Sequence, residues 1–102
     1  MSWIPVAPVA EVGPGCARAF EVGDQRIALC HAADAFYAID DECTHDGAPL
    51  DQGLLDGHQI ECPRHGARFD ITTGKVVRLP AVRPVRTYPA RVVDGLVEVD
   101  LS

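Results

Sequence analysis

The chain has 102 residues, 47% of them hydrophobic, which suffices for one compact domain with a modest core and leaves no room for a second. A formal net charge of −6 argues against nucleic acid as a partner. No apolar run approaches the roughly 20 residues of a membrane helix, and Met1-Ser2-Trp3-Ile4-Pro5 lacks the basic and apolar regions of a secretory leader. A cytoplasmic protein without a membrane segment is expected.

The predicted elements are short. Strands are expected over 3–9, 17–22, 25–31, 36–40, 58–62, 67–71, 75–78, 85–93 and 96–101. Turn signals fall between them at Gly23-Asp24, Ala33-Asp34, Asp56-Gly57, Thr73-Gly74 and Asp94-Gly95. Eight prolines and nine glycines leave little space for long helices, so the fold class is all-β, built of small antiparallel sheets. In the first hairpin the Gly23-Asp24 turn sets Ala17 opposite Cys30 and Glu21 opposite Arg26. One face then carries Phe20, Val22, Ile27 and Leu29, which suits a core. The other carries Ala17, Ala19, Glu21, Arg26 and Ala28, with Glu21 and Arg26 as a cross-strand charge pair. Cys16 and Cys30 point to opposite sides in this register, so no disulfide joins them, and both are expected as reduced, partly buried small hydrophobes.

Charge is uneven along the chain. Residues 1–61 carry eleven acids against two arginines, a net of −9, and residues 62–102 carry four acids against seven bases, a net of +3. The acidic half suits either a solvated surface or a field that steers a basic partner.

Two short matched clusters carry the chemistry. One is Cys43-Thr44-His45; the other, separated from His45 by sixteen residues, is Cys62-Pro63-Arg64-His65. Each offers one thiolate and one imidazole. A two-iron cluster with unlike ends takes two sulfur ligands on one iron and two nitrogen ligands on the other. Tetrahedral Cys2His2 zinc is the structural alternative, although its usual form groups like ligands together. His31 and His58 lie in no such constellation and are expected as surface or turn residues. Trp3, Phe36 and Tyr37 are core or rim aromatics.

The wider sequence around both clusters, Cys43-Thr44-His45-Asp46-Gly47 and Cys62-Pro63-Arg64-His65-Gly66, resembles the Rieske family of iron–sulfur proteins. Ala67-Arg68-Phe69-Asp70, Thr73-Gly74 and Leu79-Pro80-Ala81-Val82-Arg83-Pro84 extend the resemblance over nearly the whole chain. It implies a Rieske fold over residues 1–102, a basal β domain with an inserted cluster-binding part at about 43–84. It also implies one [2Fe-2S] cluster, with Cys43 and Cys62 on the inner iron and His45 and His65 on the outer. Two ferric ions, two sulfides and two thiolates sum to zero charge, so such a centre accepts an electron more readily than a four-thiolate one.

Rieske proteins of cytochrome bc-type complexes carry an extra disulfide and two hydroxyls beside the cluster. The matching positions here read Ala48 and Arg64 for the disulfide, and Ala67 and Phe69 for the hydroxyls. The resemblance therefore implies a low potential, since hydrogen bonds to sulfur are a main lever on it. It is closest in kind to the ferredoxins of bacterial aromatic-ring dioxygenase systems. These take single electrons from a flavin-containing NAD(P)H-dependent ferredoxin reductase and pass them to a terminal Rieske non-haem iron oxygenase. The chain itself has neither a second metal set nor a nucleotide-binding glycine motif, so no catalytic residue is assigned and a monomeric carrier is expected. The expected docking surface is the cluster tip: Asp46 to Pro49, Arg64, Gly66, and Pro80 to Val82. The alternatives are a small Rieske subunit of an NADH-dependent nitrite reductase, a zinc-bearing β domain, and a Rieske ferredoxin serving a steroid, terpene or amine monooxygenase.

Overall fold

In a computed structural model, which describes residues 2–102, the chain is all-β, as expected. The strands are β1 (Trp3–Pro8), β2 (Ala17–Val22), β3 (Gln25–Ala32), β4 (Ala35–Asp40), β5 (Leu55–Asp56), β6 (Gln59–Glu61), β7 (Arg68–Asp70), β8 (Val76–Arg78), β9 (Thr87–Tyr88), β10 (Ala90–Val93) and β11 (Leu96–Asp100). Single 3-10 turns span Val9–Glu11 and Leu50–Gln52. Three antiparallel sheets result, in the orders β1-β11-β10, β2-β3-β4-β9 and β5-β6-β7-β8. Among the described residues no helix is long and apolar enough to cross a membrane.

Turn chemistry sets the registers. Asp94 and Gly95 both take positive φ, 51° and 77°, the type I′ geometry whose twist matches paired strands, and Val93 falls opposite Leu96. Ala33 and Asp34 repeat this between β3 and β4, at a cost of roughly 1 kcal/mol for the alanine. The first hairpin has the expected register, Ala17 opposite Cys30 and Glu21 opposite Arg26. Its ion pair differs. Arg26 Nε donates to Asp41 Oδ2 at 2.7 Å, because the buried Asp41 carboxylate needs a partner more than the exposed Glu21 does.

Two expectations about strands need correction. The span 85–93 is not one strand. Pro89 has no N–H to give a ladder, and the chain changes sheets there: Thr87–Tyr88 pairs with β4 while Ala90–Val93 pairs with β11. The third sheet also has a two-residue strand, β5, that was not foreseen. Its turn is Gly57-His58, one residue later than expected, with Asp56 opposite Gln59.

The second sheet is buried on both faces, where the sequence suggested only one. Ile27 and Leu29 enter a core with Val12, Val22, Ala38, Tyr88, Val97 and Val99. Ala28, Cys30 and Ala32 enter another with Ile39, Cys43, Leu50, Ile60, Cys62 and Phe69. Each fully buried Ile, Leu or Phe contributes about 1.5–3 kcal/mol. Cys16 and Cys30 are both free thiols; Cys30 is buried and Cys16 is exposed in the turn before β2, not partly buried as expected.

Residues 41–86 are inserted between the paired strands β4 and β9. Asp40 N–H donates to the Arg86 carbonyl at 3.0 Å, and the Tyr88 hydroxyl donates to Asp40 Oδ1 at 2.6 Å, closing the neck of the insertion. Within it Arg68 ties strands together, donating from Nε to Glu61 at 3.0 Å and from Nη1 to Asp56 at 3.1 Å. Gly53 lets the backbone after the second 3-10 turn pass against Glu61: an added Cβ would lie 1.6 Å from the Glu61 carbonyl oxygen.

Gly53→Ala is therefore expected to lower the unfolding free energy by about 3 kcal/mol, and Gly57→Ala, a left-handed residue with nothing near its Cβ, by only about 1 kcal/mol. Urea denaturation checks this, and equal losses would contradict it. Burial, followed by the bond to Asp40, pushes the Tyr88 hydroxyl up to about 12. A phenol in the unfolded chain ionises near pH 10. Between those values the folded form keeps a proton that the unfolded form loses, so stability present below pH 10 is lost as pH rises to 12. The drop should amount to roughly 2 kcal/mol, and Tyr88→Phe should make the decline shallower.

Candidate metal centre

Two loops built to one backbone plan face each other beneath the neck. In the first, Cys43 N–H donates to the Ala48 carbonyl at 2.8 Å and Gly47 N–H donates to the Cys43 carbonyl at 2.8 Å. In the second, Cys62 N–H donates to the Ala67 carbonyl at 2.7 Å and Gly66 N–H donates to the Cys62 carbonyl at 3.2 Å. The fifth residue of each loop must turn through positive φ, 76° at Gly47 and 75° at Gly66, which only glycine does without strain. The sixth, Ala48 or Ala67, is small and buried.

The loops bring the candidate residues together in pairs, the two cysteine sulfurs within 4.8 Å of each other and the two imidazoles in ring contact. Both cysteines are buried at 1% exposure, and they belong to the same core as Ala48, Ala67, Phe69 and Ala81. His45 follows its cysteine by two residues and His65 by three. Their rings meet edge to face, with centroids 5.3 Å apart and planes at 89°. Their side chains remain 38% and 50% exposed. The sulfur end is thus dry and the imidazole end meets solvent. Burial pushes the Cys43 thiol up, opposed by backbone N–H bonds from His45 and Asp46.

The spacing of donors bears on whether the site suits one metal or two. Four donors of a single tetrahedral zinc stand within about 4 Å of one another, given bonds of 2.0–2.3 Å. Among the described residues the close set is Cys43, Asp46 and Cys62, whose donor atoms lie within 4.8 Å of each other; neither histidine joins it. A centre longer than one ion, with soft ligands inside and imidazoles outside, fits a two-iron cluster with unlike ends.

Two further features hold the site. The Thr44 hydroxyl donates to the Arg83 carbonyl at 2.7 Å, and the Arg83 guanidinium donates to the Thr44 carbonyl at 3.4 Å, latching the first loop to the proline segment 79–85. Asp41, wholly buried at the root of the first loop, accepts from Arg26 and from Asp51 N–H at 2.7 Å; burial raises its carboxyl above the ordinary value while these bonds oppose the rise. Sequence reasoning missed this brace, because Arg26 and Asp41 are fifteen residues apart.

Asp46 also lies otherwise than expected. Its carboxylate turns inward: Oδ1 accepts the Ala48 N–H at 3.0 Å, and the side chain is only 16% exposed. That bond, ahead of opposing burial and of the Arg64 and His65 charges, holds the carboxyl below the usual carboxylate range. An aspartate whose oxygen meets the N–H two residues on is a turn signature readable in Asp46-Gly47-Ala48. Ala48 and Ala81 are likewise buried rather than surface residues, because their methyl groups fill the core beside the cysteines. The exposed apolar residues of the proline segment are Leu79 and Val82, at 71% and 78%.

His31 and His58 stand apart from the centre. His31 is a half-buried strand residue that stacks on Phe36, with Nδ1 2.8 Å from the Val12 carbonyl oxygen, and His58 is an exposed turn residue edge-on to Tyr37.

The family model of the Rieske [2Fe-2S] domain matches residues 2–89. The chain belongs to the Rieske [2Fe-2S] family. Its cofactor is accordingly a Rieske-type [2Fe-2S] cluster, whose two-sulfur, two-nitrogen donor set the residues at the tip can supply. The chain is 34% identical over 102 residues to the ferredoxin component of the naphthalene 1,2-dioxygenase system of Pseudomonas putida, covering 100% of this chain and 98% of the relative. It is 42% identical over 103 residues to the 3-phenylpropionate/cinnamic acid dioxygenase ferredoxin subunit of Photorhabdus laumondii, covering 100% and 97%. Its fold superposes with a TM-score of 0.88, at 38% identity and 95% and 91% coverage, on a chain of the complex of reduced oxygenase and oxidised ferredoxin in carbazole 1,9a-dioxygenase.

Proposed function

We propose that this protein is the electron-carrying ferredoxin of a multicomponent aromatic-ring dioxygenase system, not itself an enzyme. It takes single electrons from a flavin-containing NAD(P)H-dependent reductase and delivers them to a terminal Rieske non-haem iron oxygenase. The observation that carries this reading is the pairing of a dry two-thiol end with an exposed two-imidazole rim. The [2Fe-2S] cluster supplies one-electron chemistry when bound. Cys43 and Cys62 hold its inner iron, and His45 and His65 hold the outer iron and offer their rings as the electron's exit. Residues 1–102 form one Rieske domain, with 43–84 as the cluster-binding part, acting as a cytoplasmic monomer.

The chain's own residues set the working range. Ala67 and Phe69 fill buried positions beside the cysteines with no hydroxyl to donate to sulfur. A centre without those donors sits at the lower end of the Rieske range, at about −150 mV. Ferredoxin names on relatives that match end to end favour the mobile carrier over the nitrite reductase subunit, as does the presence of all four ligand residues. Leu79 and Val82 are exposed apolar residues of the proline segment that the Thr44–Arg83 bonds latch to the first loop, a surface suited to brief docking with fast release. The named relatives serve systems for naphthalene and for phenylpropionate, so the terminal substrate is a property of the oxygenase, not of this fold.

A redox titration should place the midpoint potential near about −150 mV, and Ala67→Ser, which returns one donor, should raise it. A clearly positive wild-type potential would contradict the reading.

A further inference from the structure

We propose that Arg68 is a positioning residue for the second ligand loop, clasping the loop's two ends from outside the metal centre. The proposal rests on the ligand assignment above. Glu61 and Arg68 are the residues immediately before and after loop 62–67, and they are direct cross-strand partners on β6 and β7. Arg68 Nε donates to Glu61 Oε1 at 3.0 Å, which joins the loop's ends side chain to side chain. Nη1 of the same guanidinium donates to Asp56 Oδ2 at 3.1 Å and to Gln59 Oε1 at 3.4 Å, carrying the clasp on to β5. One planar group thus holds three strands, and Arg68 is left only 17% exposed. Arg68 also stands opposite Arg78 across β7 and β8, a pairing of like charges that is unfavourable by itself. Glu61 Oε1 lies 3.5 Å from Arg78 Nη1 and so offsets both cations.

Side chains along β6 and β7 alternate between the two faces of the sheet. Ile60, Cys62, Ala67 and Phe69 are buried on the core side, so Glu61 and Arg68 lie on the opposite face. The clasp is therefore outside the space between the facing cysteines. The two loops also differ in how else they are held. In the first, the Asp41 carboxylate takes the Asp51 N–H across the base, and the Thr44–Arg83 bonds latch the tip. In the second, Pro63, Arg64 and His65 are all exposed, so the loop is placed from its base. An ion pair near the surface contributes little to global stability. Fixing a ligand-bearing loop acts instead on metal retention, where contacts that orient ligands are worth about 10- to 100-fold.

The test compares Arg68→Met, Arg68→Lys and Arg91→Met with wild type in the cluster-loaded protein. Arg91 forms a cross-strand pair of the same kind with Glu98, at 2.8 Å in the first sheet, and controls for the loss of an ion pair. Two quantities are read: the rate of iron release to bathophenanthroline, and amide hydrogen exchange by mass spectrometry in peptides spanning each loop. In R68M iron is expected to leave about tenfold faster. Exchange is expected to rise in the second loop, closed by Cys62 and Gly66 N–H, and to stay unchanged in the first, closed by Cys43 and Gly47 N–H. R68K keeps the charge but lacks the planar fork that grips two carboxylates, so it falls between wild type and R68M, and R91M matches wild type. Iron release at the wild-type rate in R68M overturns the proposal. So does an equal rise of exchange in both loops, or an equal effect in R91M, since Arg68 would then stabilise the fold without positioning the loop. Should R68M fail to fold, R68K carries the same comparison, and an equal change in both loops there, or none, overturns the proposal. Purified wild type holding zinc or no metal would overturn the ligand assignment instead, and the exchange comparison would still decide the clasp.

Discussion

Two backbone hydrogen bonds in each of two loops govern the rest of the site. The first loop closes from Cys43 N–H to the Ala48 carbonyl, the second from Cys62 N–H to the Ala67 carbonyl. Each is completed by a glycine N–H that returns to the cysteine carbonyl. Equal closures bring the two sulfurs to equal depth, where both are buried. The histidines do not share that equivalence. One follows its cysteine by two residues, the other by three, and their rings meet edge to face at the solvent boundary. The unlike ends of a Rieske-type centre thus match one repeated loop with a one-residue offset in its imidazole.

Loops of this kind are precise only when the scaffold leaves them no freedom. Here the second sheet, packed on both faces, supplies the rigidity. β4 and β9 close the neck through Asp40, Arg86 and Tyr88. Asp41 ties the root of the first loop to β3 and to the 3-10 turn that follows it. Gly53 permits the close backbone approach at Glu61, the residue before the second loop. Gly74 does the same beneath the proline segment, where an added Cβ would stand 2.1 Å from the Val85 carbonyl oxygen. Each of these contacts lies within three residues of a proposed ligand or of the segment that covers the site.

Much of this was legible in the sequence, for identifiable reasons. Two-residue turns at Gly23-Asp24 and Asp94-Gly95 fix register, so the pairings of β2 with β3 and of β10 with β11 could be read directly. The cysteine and histidine spacing pointed to the centre because few other folds mix one of each in each loop. What stayed hidden depends on long-range packing. A strand of two residues, Leu55–Asp56, has no period to detect. The sheet change at Pro89 needs both partners in view. Ala28 and Cys30 read as an outer face because an alanine or cysteine serves a second core as readily as a half-exposed surface. Asp46 read as a surface charge because its local bond to Ala48 is compatible with either orientation, and only the facing loop decides which one is adopted.

The central claim is that this fold presents two thiolates and two imidazoles to one two-iron centre. The most direct measurement is the EPR spectrum of the purified protein after dithionite reduction, with iron quantified on the same sample. The account predicts a rhombic signal whose average g lies below the free-electron value, at one spin per two irons. Zinc in place of iron with no signal, or the spectrum of an all-thiolate cluster, would contradict it.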